Sequence, residues 1–402
     1  MRARLICMIA LGLPATAAAQ QWDSVTSRVV APGVTYKRIV QLSGPWRVNV
    51  LEIDLRQPGL KLLGVKAKDS FVGREKTSEM AARYSGPGKV VAAVNTDFFV
   101  VKTGETENNV VIEGEMSKGV TVSDSPFDSF NNLHSELGID WNNRSWIERY
   151  GLRGRVVQGS HSVALDGLNF RPPYKNYVAL FTGFAGDSSP RDTLHNDVSN
   201  LPLRLVARNG NTTTYTIAGT VSKGSRAPLT SGALLVAEGR MRDSLRAMVK
   251  RGGQIRITTG LNPDHGNLRT VVGGWPRIVR NGRSVAEWAD VEEGTFPRFS
   301  AIRHPRTGAG ISRDGNTLYL LTVDGRRESD GGMSLIELAH FMIGLGAHDA
   351  MNFDGGGSTT MVIEGQVVNR PSDTTGERPV GSAMLVIVGD TAAKRQAPNA
   401  KR

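Results

Sequence analysis

Short runs of apolar residues, many of them alternating with polar ones, fill most of this chain, and glycine, proline, asparagine and aspartate separate them. Such a pattern is typical of β-strands joined by turns. The runs are WRVNVLEIDL, LKLLGVKA, KVVAAVN, YVALFTGF, LRLVARNG, TTTYTIAG, QIRITTG, TLYLLTVDG and SAMLVIVGD. The pattern therefore predicts a protein made largely of strands.

Helical spacing of apolar residues is confined to a few segments. The clearest begins at Ser334, which has capping-box spacing to Glu337, and its apolar residues then recur with the helical period. Two glycines follow and are expected to end this helix. Shorter helices are predicted around residues 77–84 and 241–250. We expect a strand-rich α+β fold in which mixed β-sheets pack together under a few covering helices.

The segment MNFDGGGSTTM, residues 351–361, follows the clearest helix. Its period of two places Met351 and Phe353 on one face and Asp354 on the other, as expected for a strand that ends in a carboxylate. Three glycines and three hydroxyl residues come next, so backbone N–H groups and side-chain donors would surround an anion or a sugar. The alternative is a hairpin turn in which Asp354 caps its own backbone. A Walker A loop is excluded, because the Gly-Lys-Ser/Thr ending is missing.

The first 19 residues have the features of a secretory signal peptide. Arg2 and Arg4 precede an apolar run, and Ala17, Ala18 and Ala19 form a small-residue cleavage site. We therefore expect an exported protein, periplasmic or extracellular. The apolar run is too short to span a bilayer and no later segment is long enough, so no membrane span is predicted. The single cysteine lies in this leader, which excludes disulfides and thiolate chemistry from the mature chain.

One domain is predicted for residues 20–390, followed at residues 391–402 by a basic tail that lacks large apolar side chains and is expected to be disordered. The net charge of +11 suits anionic cell-envelope polymers, although lysine and arginine scattered over the surface give the same total. No run of lysine and arginine with interleaved aromatic residues is present, so nucleic acid is not an expected partner. The sequence gives no prediction of oligomeric state.

Motifs spread over most of the chain resemble those of the phosphodiester glycosidase family. They are APGVTYKRIV, VVAAVNTDFF, VVGGWPRIVRNGR, RHPRTGAGISRDGNTLYLLTVDGR, the clearest helix with its MNFDGGGST strand, and ERPVGSAMLVIVGD. The chain departs from the usual pattern at residues 95–99, NTDFF, where many relatives have asparagine, small residues and one phenylalanine. It departs again at Trp275, where a smaller residue is usual.

The resemblance implies an exported hydrolase that cleaves a sugar 1-phosphodiester, such as an N-acetylglucosamine-1-phosphodiester, at the anomeric carbon, in an envelope glycan or exopolysaccharide. An anionic glycan or sugar phosphodiester is then the expected substrate, and no cofactor or metal ion is expected. Two other functions stay open. One is a non-catalytic module that binds anionic glycans, and the other is a metal-dependent phosphoesterase in which Asp97, Asp354 and Asp324 hold a divalent ion.

Cleavage of a glycosyl phosphodiester releases a stable anion, so the site needs positive charge or N–H dipoles around the phosphate and a carboxylate near the anomeric carbon. Asp354 is the predicted carboxylate, as nucleophile or as the base that aligns water. Asp97 is the second candidate, because it follows an apolar strand and shares a face with Asn95. Asn95 would orient Asp97 or bind sugar hydroxyls. The alternative for this pair is a strand-end turn capped by asparagine and aspartate.

Phosphate binding is predicted for the segment RHPRTG, because a guanidinium fork matches phosphate oxygens better than an ammonium group does. A structural pair with a buried acid is the alternative for its second arginine. The candidates in this segment are Arg303, His304, Arg306 and Thr307. Further substrate contacts are predicted for Arg378 and for the turn residues Gly355, Gly356, Gly357, Ser358 and Thr359.

Overall fold

The computed structural model describes residues 23–389, except residues 124, 126, 127 and 196. The predicted signal peptide and the predicted basic tail lie outside the described residues. Strands form much of the described chain, as the hydrophobic pattern predicted. In chain order they are β1 (Ser24–Ala31), β2 (Val34–Gln41), β3 (Trp46–Asp54), β4 (Leu60–Lys66), β5 (Lys89–Asn95), β6 (Val110–Ile112), β7 (Glu115–Val120), β8 (Glu136–Asp140), β9 (Ser145–Glu148), β10 (Gly151–Gln158), β11 (His161–Leu165), β12 (Gly167–Leu168), β13 (Val178–Thr182), β14 (Val198–Asn209), β15 (Thr212–Ile217), β16 (Ser222–Lys223), β17 (Ala233–Glu238), β18 (Gln254–Asn262), β19 (Leu268–Gly273), β20 (Arg277–Arg280), β21 (Arg283–Ser284), β22 (Arg306–Ser312), β23 (Thr317–Val323), β24 (Ala347–Phe353), β25 (Met361–Ile363), β26 (Gln366–Val367) and β27 (Ser382–Val388).

Helices are few in the described part of the chain. They are α1 (Thr77–Ala82), α2 (Arg242–Arg251), α3 (Ala289–Glu292), α4 (Pro297–Ser300) and α5 (Leu335–Leu345). Three of them, α1, α2 and α5, correspond to the predicted helices. The capping box of α5 is present as predicted, since Ser334 and Glu337 each accept a hydrogen bond from the backbone N–H of the other. None of the helices in the described residues is long and apolar enough to cross a membrane.

The strands form three sheets with almost entirely antiparallel pairing. Sheet 1 has the order β1-β2-β3-β23-β22-β24-β20-β21, and sheet 2 has the order β26-β25-β5-β27-β4. Sheet 3 has the order β11-β10-β18-β15-β14-β17-β13-β12-β7-β6-β19-β8-β9, with β16 beside β14. Among the described strands only β12 and β13 pair in parallel. The predicted mixed sheets are therefore antiparallel apart from this short pair.

Sheets 1 and 2 pack against each other across the main hydrophobic core. Met351 and Phe353 of β24 belong to the same buried cluster as Val94 of β5 and Met384 of β27. This is the core face that the alternation in β24 predicted. Residues of α5 pack with the opposite face of sheet 1 in a second buried cluster. The packing of the two sheets brings the end of β5 next to the end of β24.

Candidate active site

Two strand ends from different sheets meet beside Asp354. β5 of sheet 2 ends at Asn95, and β24 of sheet 1 ends at Phe353. The Asp354 N–H donates to the carbonyl of Thr96 at 2.8 Å. The side-chain amide of Asn95 donates to the Asp354 carbonyl at 2.6 Å. Asp354 is therefore held next to the segment that carries Asp97, although the two lie far apart in the sequence.

Asp354 keeps partial exposure to solvent, while groups of its own turn enclose its carboxyl. The Gly355 N–H donates to its Oδ1 at 2.8 Å. Burial raises the pKa of Asp354 to about 7, and the negative charge of Asp97 adds to this shift. A hydrogen bond from Ser358 and the positive charge of Arg378 lower the same pKa. A carboxyl with such a pKa changes its charge near neutral pH, which is common among catalytic carboxyls.

Asp97 is buried and fixed by Asn108. The backbone N–H and side-chain amide of Asn108 donate to its two carboxyl oxygens at 3.1 and 2.7 Å. Burial raises the pKa of Asp97 to about 6, and the bonds from Asn108 and the charges of Lys118 and His134 act in the opposite direction. Gly273 passes so close that a Cβ there would overlap this carboxyl. Asp97 is thus held in one orientation.

A third carboxyl, that of Glu107, has no counterpart among the predicted site residues. Burial raises the pKa of Glu107 to about 7, the charge of Asp97 raises it further, and that of His134 lowers it. Glu107 lies in a loop between β5 and β6, where hydrophobic periodicity is absent, and the polar run ETENN is its only sequence signal. Asp97, Glu107 and Asp354, whose charges interact and whose pKa values are raised, are called here the carboxyl cluster. Glu136 has a raised pKa as well and interacts with Asp97, but the backbone N–H and the side-chain amide of Asn109 bind its carboxyl.

Aromatic rings pack behind the carboxyl cluster. The ring of His134 bonds through Nε2 to Asp128 Oδ2 at 2.8 Å. It stacks on Trp275 with ring centres 5.3 Å apart. Trp275 is buried, its indole N–H donates to the carbonyl of Glu293 at 2.6 Å, and Phe299 stacks on its ring at 4.7 Å. The departure from the family pattern at Trp275 is thus accommodated by packing, and the indole does not face solvent.

Asn95 and Thr307 hold the strand ends together, and neither faces an opening. Asn95 is 1% exposed. Its side-chain oxygen accepts the Thr307 hydroxyl at 2.8 Å and the Thr360 N–H at 3.0 Å, while its amide nitrogen donates to Asp354. Both ends of the amide are therefore engaged within the protein. The hydrogen bonds of Asn95 therefore position Asp354, and a contact between Asn95 and a sugar stays a prediction.

Arg306 has partners other than the predicted phosphate. It is 1% exposed, and its guanidinium donates to the carbonyls of Met333 at 2.9 Å and Phe299 at 2.6 Å. The guanidinium also lies over the Phe299 ring, 4.9 Å from its centre. Burial lowers the pKa of Arg306 to about 9. Backbone carbonyls, rather than the buried acid of the alternative interpretation, therefore satisfy Arg306, and it stabilises the loop before β22.

Arg303 and His304 also lie outside the carboxyl cluster. Nε of Arg303 is 3.0 Å from both carboxylate oxygens of Glu337, so Arg303 anchors the loop to the start of α5. The backbone of His304 pairs with that of Met333, and its ring nitrogen is 3.3 Å from the carbonyl of Arg298. In this structure both side chains bind groups of the protein, and the phosphate contacts predicted for them stay a prediction.

The glycine turn predicted after β24 is present, and its first residues are the accessible ones. Gly355 and Gly356 are partly exposed, whereas residues 357–359 are buried. The carbonyl of Thr359 accepts a hydrogen bond from the side-chain amide of Asn369 at 2.9 Å, so the Thr359 carbonyl points towards the protein interior. The backbone of Gly355 and Gly356 is therefore the part of the turn that a ligand can approach.

Two arginines lie against the glycine turn. Arg378, a predicted substrate contact, makes two hydrogen bonds to Asp373 at 2.7 and 2.9 Å, and its Nη1 is 3.4 Å from the Ser358 hydroxyl. Arg326 approaches Gly356 directly. It is the last residue of the motif RHPRTGAGISRDGNTLYLLTVDGR, and the sequence predicted no ligand contact for it. These arginines, and not those of RHPRTG, flank the accessible glycines.

Among the described residues no group of three or more histidine, cysteine, aspartate or glutamate side chains is arranged to hold a metal ion. Asp324 accepts the Arg370 N–H at 2.9 Å, and its charge interacts with that of Asp330. The three-aspartate arrangement that the metal-dependent alternative required, with Asp97 and Asp354, is therefore not formed by the described residues.

Comparison with known proteins gives a consistent picture. Residues 205–387 match the model of the family described as phosphodiester glycosidase. The N-acetylglucosamine-1-phosphodiester alpha-N-acetylglucosaminidase of Bos taurus is 39% identical over 103 residues, which are 24% of this chain and 19% of that protein. The Mus musculus protein of the same name is 28% identical over 241 residues, 57% of this chain and 44% of that protein. The chain thus spans less than half the length of these curated relatives.

Similarity of fold extends over most of the chain. The crystal structure of a hypothetical protein from Synechocystis superposes with a TM-score of 0.71 at 22% identity. The superposition covers 91% of this chain and 64% of that one. At this level of identity the likeness concerns the fold alone. The similarity of fold therefore extends beyond the residues matched by the family model.

Proposed function

We propose that the carboxyl cluster of this chain hydrolyses a sugar 1-phosphodiester at the anomeric carbon, in keeping with the match of residues 205–387 to the phosphodiester glycosidase family. The observation that supports the proposal is the joining of two strand ends, which holds Asp354 beside the segment of Asp97 at a partly open surface. Carboxyls with pKa values of about 6 and 7 can carry negative charge at neutral pH and still accept a proton.

The proposed reaction breaks the bond between the anomeric carbon and the phosphate oxygen. The phosphomonoester leaves with both bonding electrons, so it needs little help from an acid. Asp354 either attacks the anomeric carbon or takes a proton from the water that attacks it. In both cases the oxygen of water ends on the sugar, and one proton is released to solvent. Asp97 and Glu107 stabilise the positive charge that develops on the sugar ring.

Hydrolysis of methyl N-acetylglucosamine 1-phosphate in ¹⁸O-labelled water tests this function directly. We expect labelled free sugar and unlabelled methyl phosphate, with no loss of rate after treatment with a chelator. Labelled sugar 1-phosphate with methanol, or unlabelled sugar with labelled methyl phosphate, would mean attack at phosphorus and would support the phosphoesterase alternative. Binding of the diester without any product would support the glycan-binding module.

The pH dependence of the reaction follows from the carboxyl cluster. Since Asp354 must be ionised to act as nucleophile or base, and its pKa is raised to about 7, we expect kcat/KM to fall below neutral pH. The interacting carboxyls titrate together, so the acidic limb should give an apparent pKa between about 6 and 7. A pH-rate profile measures this value. An acidic limb near the ordinary aspartate value of 3.8 would contradict the assignment.

The proposed location is outside the cytoplasm. The signal-peptide pattern of the first 19 residues supports export, and the basic net charge supports an anionic envelope glycan or exopolysaccharide as the natural substrate. N-terminal sequencing of the protein recovered from the periplasm or the medium checks the export step, with Gln20 as the expected first residue. Recovery of the uncleaved chain from the cytoplasm would argue against it.

A further inference from the structure

The glycine turn after Asp354 lies between two guanidinium groups. A Cβ built on Gly356 would be 2.8 Å from Nη2 of Arg326. A Cβ built on Gly357 would overlap the guanidinium of Arg378. Because these positions are glycines, both guanidinium groups can lie directly against the turn. The two positive groups therefore contact consecutive residues of the turn that begins at the proposed catalytic carboxyl.

The two arginines differ in their partners. Nε and Nη2 of Arg378 donate to the two carboxylate oxygens of Asp373 at 2.7 and 2.9 Å, and this pair of bonds fixes the orientation of the guanidinium. Arg326 is exposed, and within the described residues its side chain has no hydrogen-bonded or ion-paired partner. Its charge instead interacts with that of the buried Arg306. An unpaired cation next to another cation makes a local positive potential, which favours an anion at this place.

The backbone at Arg326 is in a conformation that side chains rarely adopt. Its φ is 62°, in the left-handed region. The turn is held there by its neighbours, since Gly325 packs against the backbone of Pro305 and Gly332, and the Arg327 N–H donates to Asp330 at 3.3 Å. Unfavourable backbone conformations of this kind are often found at functional sites. The fold therefore keeps a long charged residue where glycine would be less strained.

We propose that Arg326 and Arg378 form a clamp for the phosphate of the substrate, with Arg326 as the arm that closes on the ligand. This inference rests on the proposed function. The guanidinium of Arg326 would bond to the non-bridging oxygens of the diester beside Gly356, and Arg378, already oriented by Asp373, would complete the charge. The phosphate gains negative charge as it leaves the sugar, so the clamp binds the departing group more tightly than the bound diester.

The test compares Arg326→Gln, Arg326→Gly and the control Arg313→Gln. Arg313 is an exposed arginine in the hairpin between β22 and β23. Binding of methyl phosphate is measured by calorimetry, and kcat and KM are measured on methyl N-acetylglucosamine 1-phosphate. Both Arg326 variants should bind methyl phosphate about 10- to 100-fold more weakly, the range expected for loss of a charged hydrogen bond. Their kcat should fall as well, and the control should match the wild type.

Arg326→Gly separates a binding role from a structural one. Glycine is favoured at a positive φ. The melting temperature of the Arg326→Gly variant should therefore equal or exceed that of the wild type, while phosphate binding is lost. Unchanged methyl phosphate binding in Arg326→Gln would overturn the clamp, even if the diester is hydrolysed as proposed. If no diester is hydrolysed by the wild type, but methyl phosphate binds it and not the Arg326 variants, the clamp stands and the proposed function falls.

Discussion

Substitution of Asp354 by asparagine is expected to lower kcat on a sugar 1-phosphodiester by about 10³-fold, the central range for removal of a general base and a lower bound for a nucleophile. Asparagine keeps the size of the side chain and an oxygen that can still accept the Gly355 N–H. The change therefore removes the charge and leaves the turn in place. Steady-state kinetics on the purified variant measure the effect, which should appear in kcat more than in KM.

Asp166→Asn is the matched control for this substitution. Asp166 follows β11 in sheet 3, burial raises the pKa of its carboxyl as it does for Asp354, and it likewise accepts a backbone N–H, that of Val178, at 2.8 Å. We expect the control to keep the wild-type kcat. Retention of more than a tenth of the activity in Asp354→Asn would remove Asp354 from the reaction and leave Asp97 or Glu107 as the reactive carboxyl.

The same substitution should change the pH dependence of stability. The pKa of Asp354 is about 7 in the folded protein and has an ordinary value of 3.8. Between these values the folded protein keeps a proton that the unfolded chain has released, so wild-type stability falls as the pH rises. Asparagine does not ionise. Asp354→Asn should therefore be more stable than the wild type above pH 7, by an amount on the order of a few kcal/mol, and the gap should shrink towards pH 4.

Thermal unfolding of both proteins at several pH values checks this sign. If the difference in melting temperature between the wild type and Asp354→Asn does not change with pH, ionisation of Asp354 does not lower the free energy of unfolding. The carboxyl would then have to be better solvated than its burial indicates. The expected gain in stability also has a functional meaning, because a residue whose removal stabilises the fold is retained for another reason.

Asn95→Ala is expected to destabilise the protein by about 3 kcal/mol, because it removes three hydrogen bonds that each contribute about 1 kcal/mol. These bonds reach Thr307 in β22 and both Asp354 and Thr360 in the turn between β24 and β25. Their unpaired groups would remain buried, which adds to the cost. Urea unfolding monitored by tryptophan fluorescence measures the loss. The kcat should fall with it, since the backbone of Asp354 loses a fixed support.

Thr307→Val is the comparison variant for Asn95→Ala. Valine has nearly the shape of threonine and removes only one of the three bonds, so a loss of about 1 kcal/mol is expected. If Asn95→Ala and Thr307→Val are equally destabilising, Asn95 does not tie the strand ends together. A full loss of activity in a fully stable Asn95→Ala would instead point to direct contact between Asn95 and the substrate.

The strands and the main helices were predictable because their signals are local. The alternation in β24 fixes which side chains reach the core, and the capping box at Ser334 marks the start of α5 within one residue. Strand pairing is a different kind of information. Whether two strands run parallel or antiparallel depends on contacts between distant segments. The sequence therefore predicted mixed sheets, whereas the described sheets are antiparallel apart from β12 and β13.

The candidate site was predictable where residues end a strand, and less so where they lie in loops. Asp354 and Asp97 follow apolar strands, and the structure brings them together. Arg306 also lies in a family motif, but the carbonyl groups of residues 299, 302 and 333 determine where its guanidinium points. These contacts cannot be inferred from the spacing of residues in the sequence. Glu107 and Arg326 were missed for the same reason, since loop packing gives a buried acid and an arginine at positive φ no periodic signal.

The order of strands in sheet 2 has a consequence for how the protein is made. β5 pairs with β25 and β27, and β4 pairs with β27, so neither early strand has a neighbour in this sheet until the last part of the polypeptide is available. Such long-range pairing slows folding and leaves edges prone to aggregation in the nascent chain. Nearly the whole polypeptide must therefore be synthesised before sheet 2 can form, and with it the hydrogen bond from Asn95 that supports Asp354.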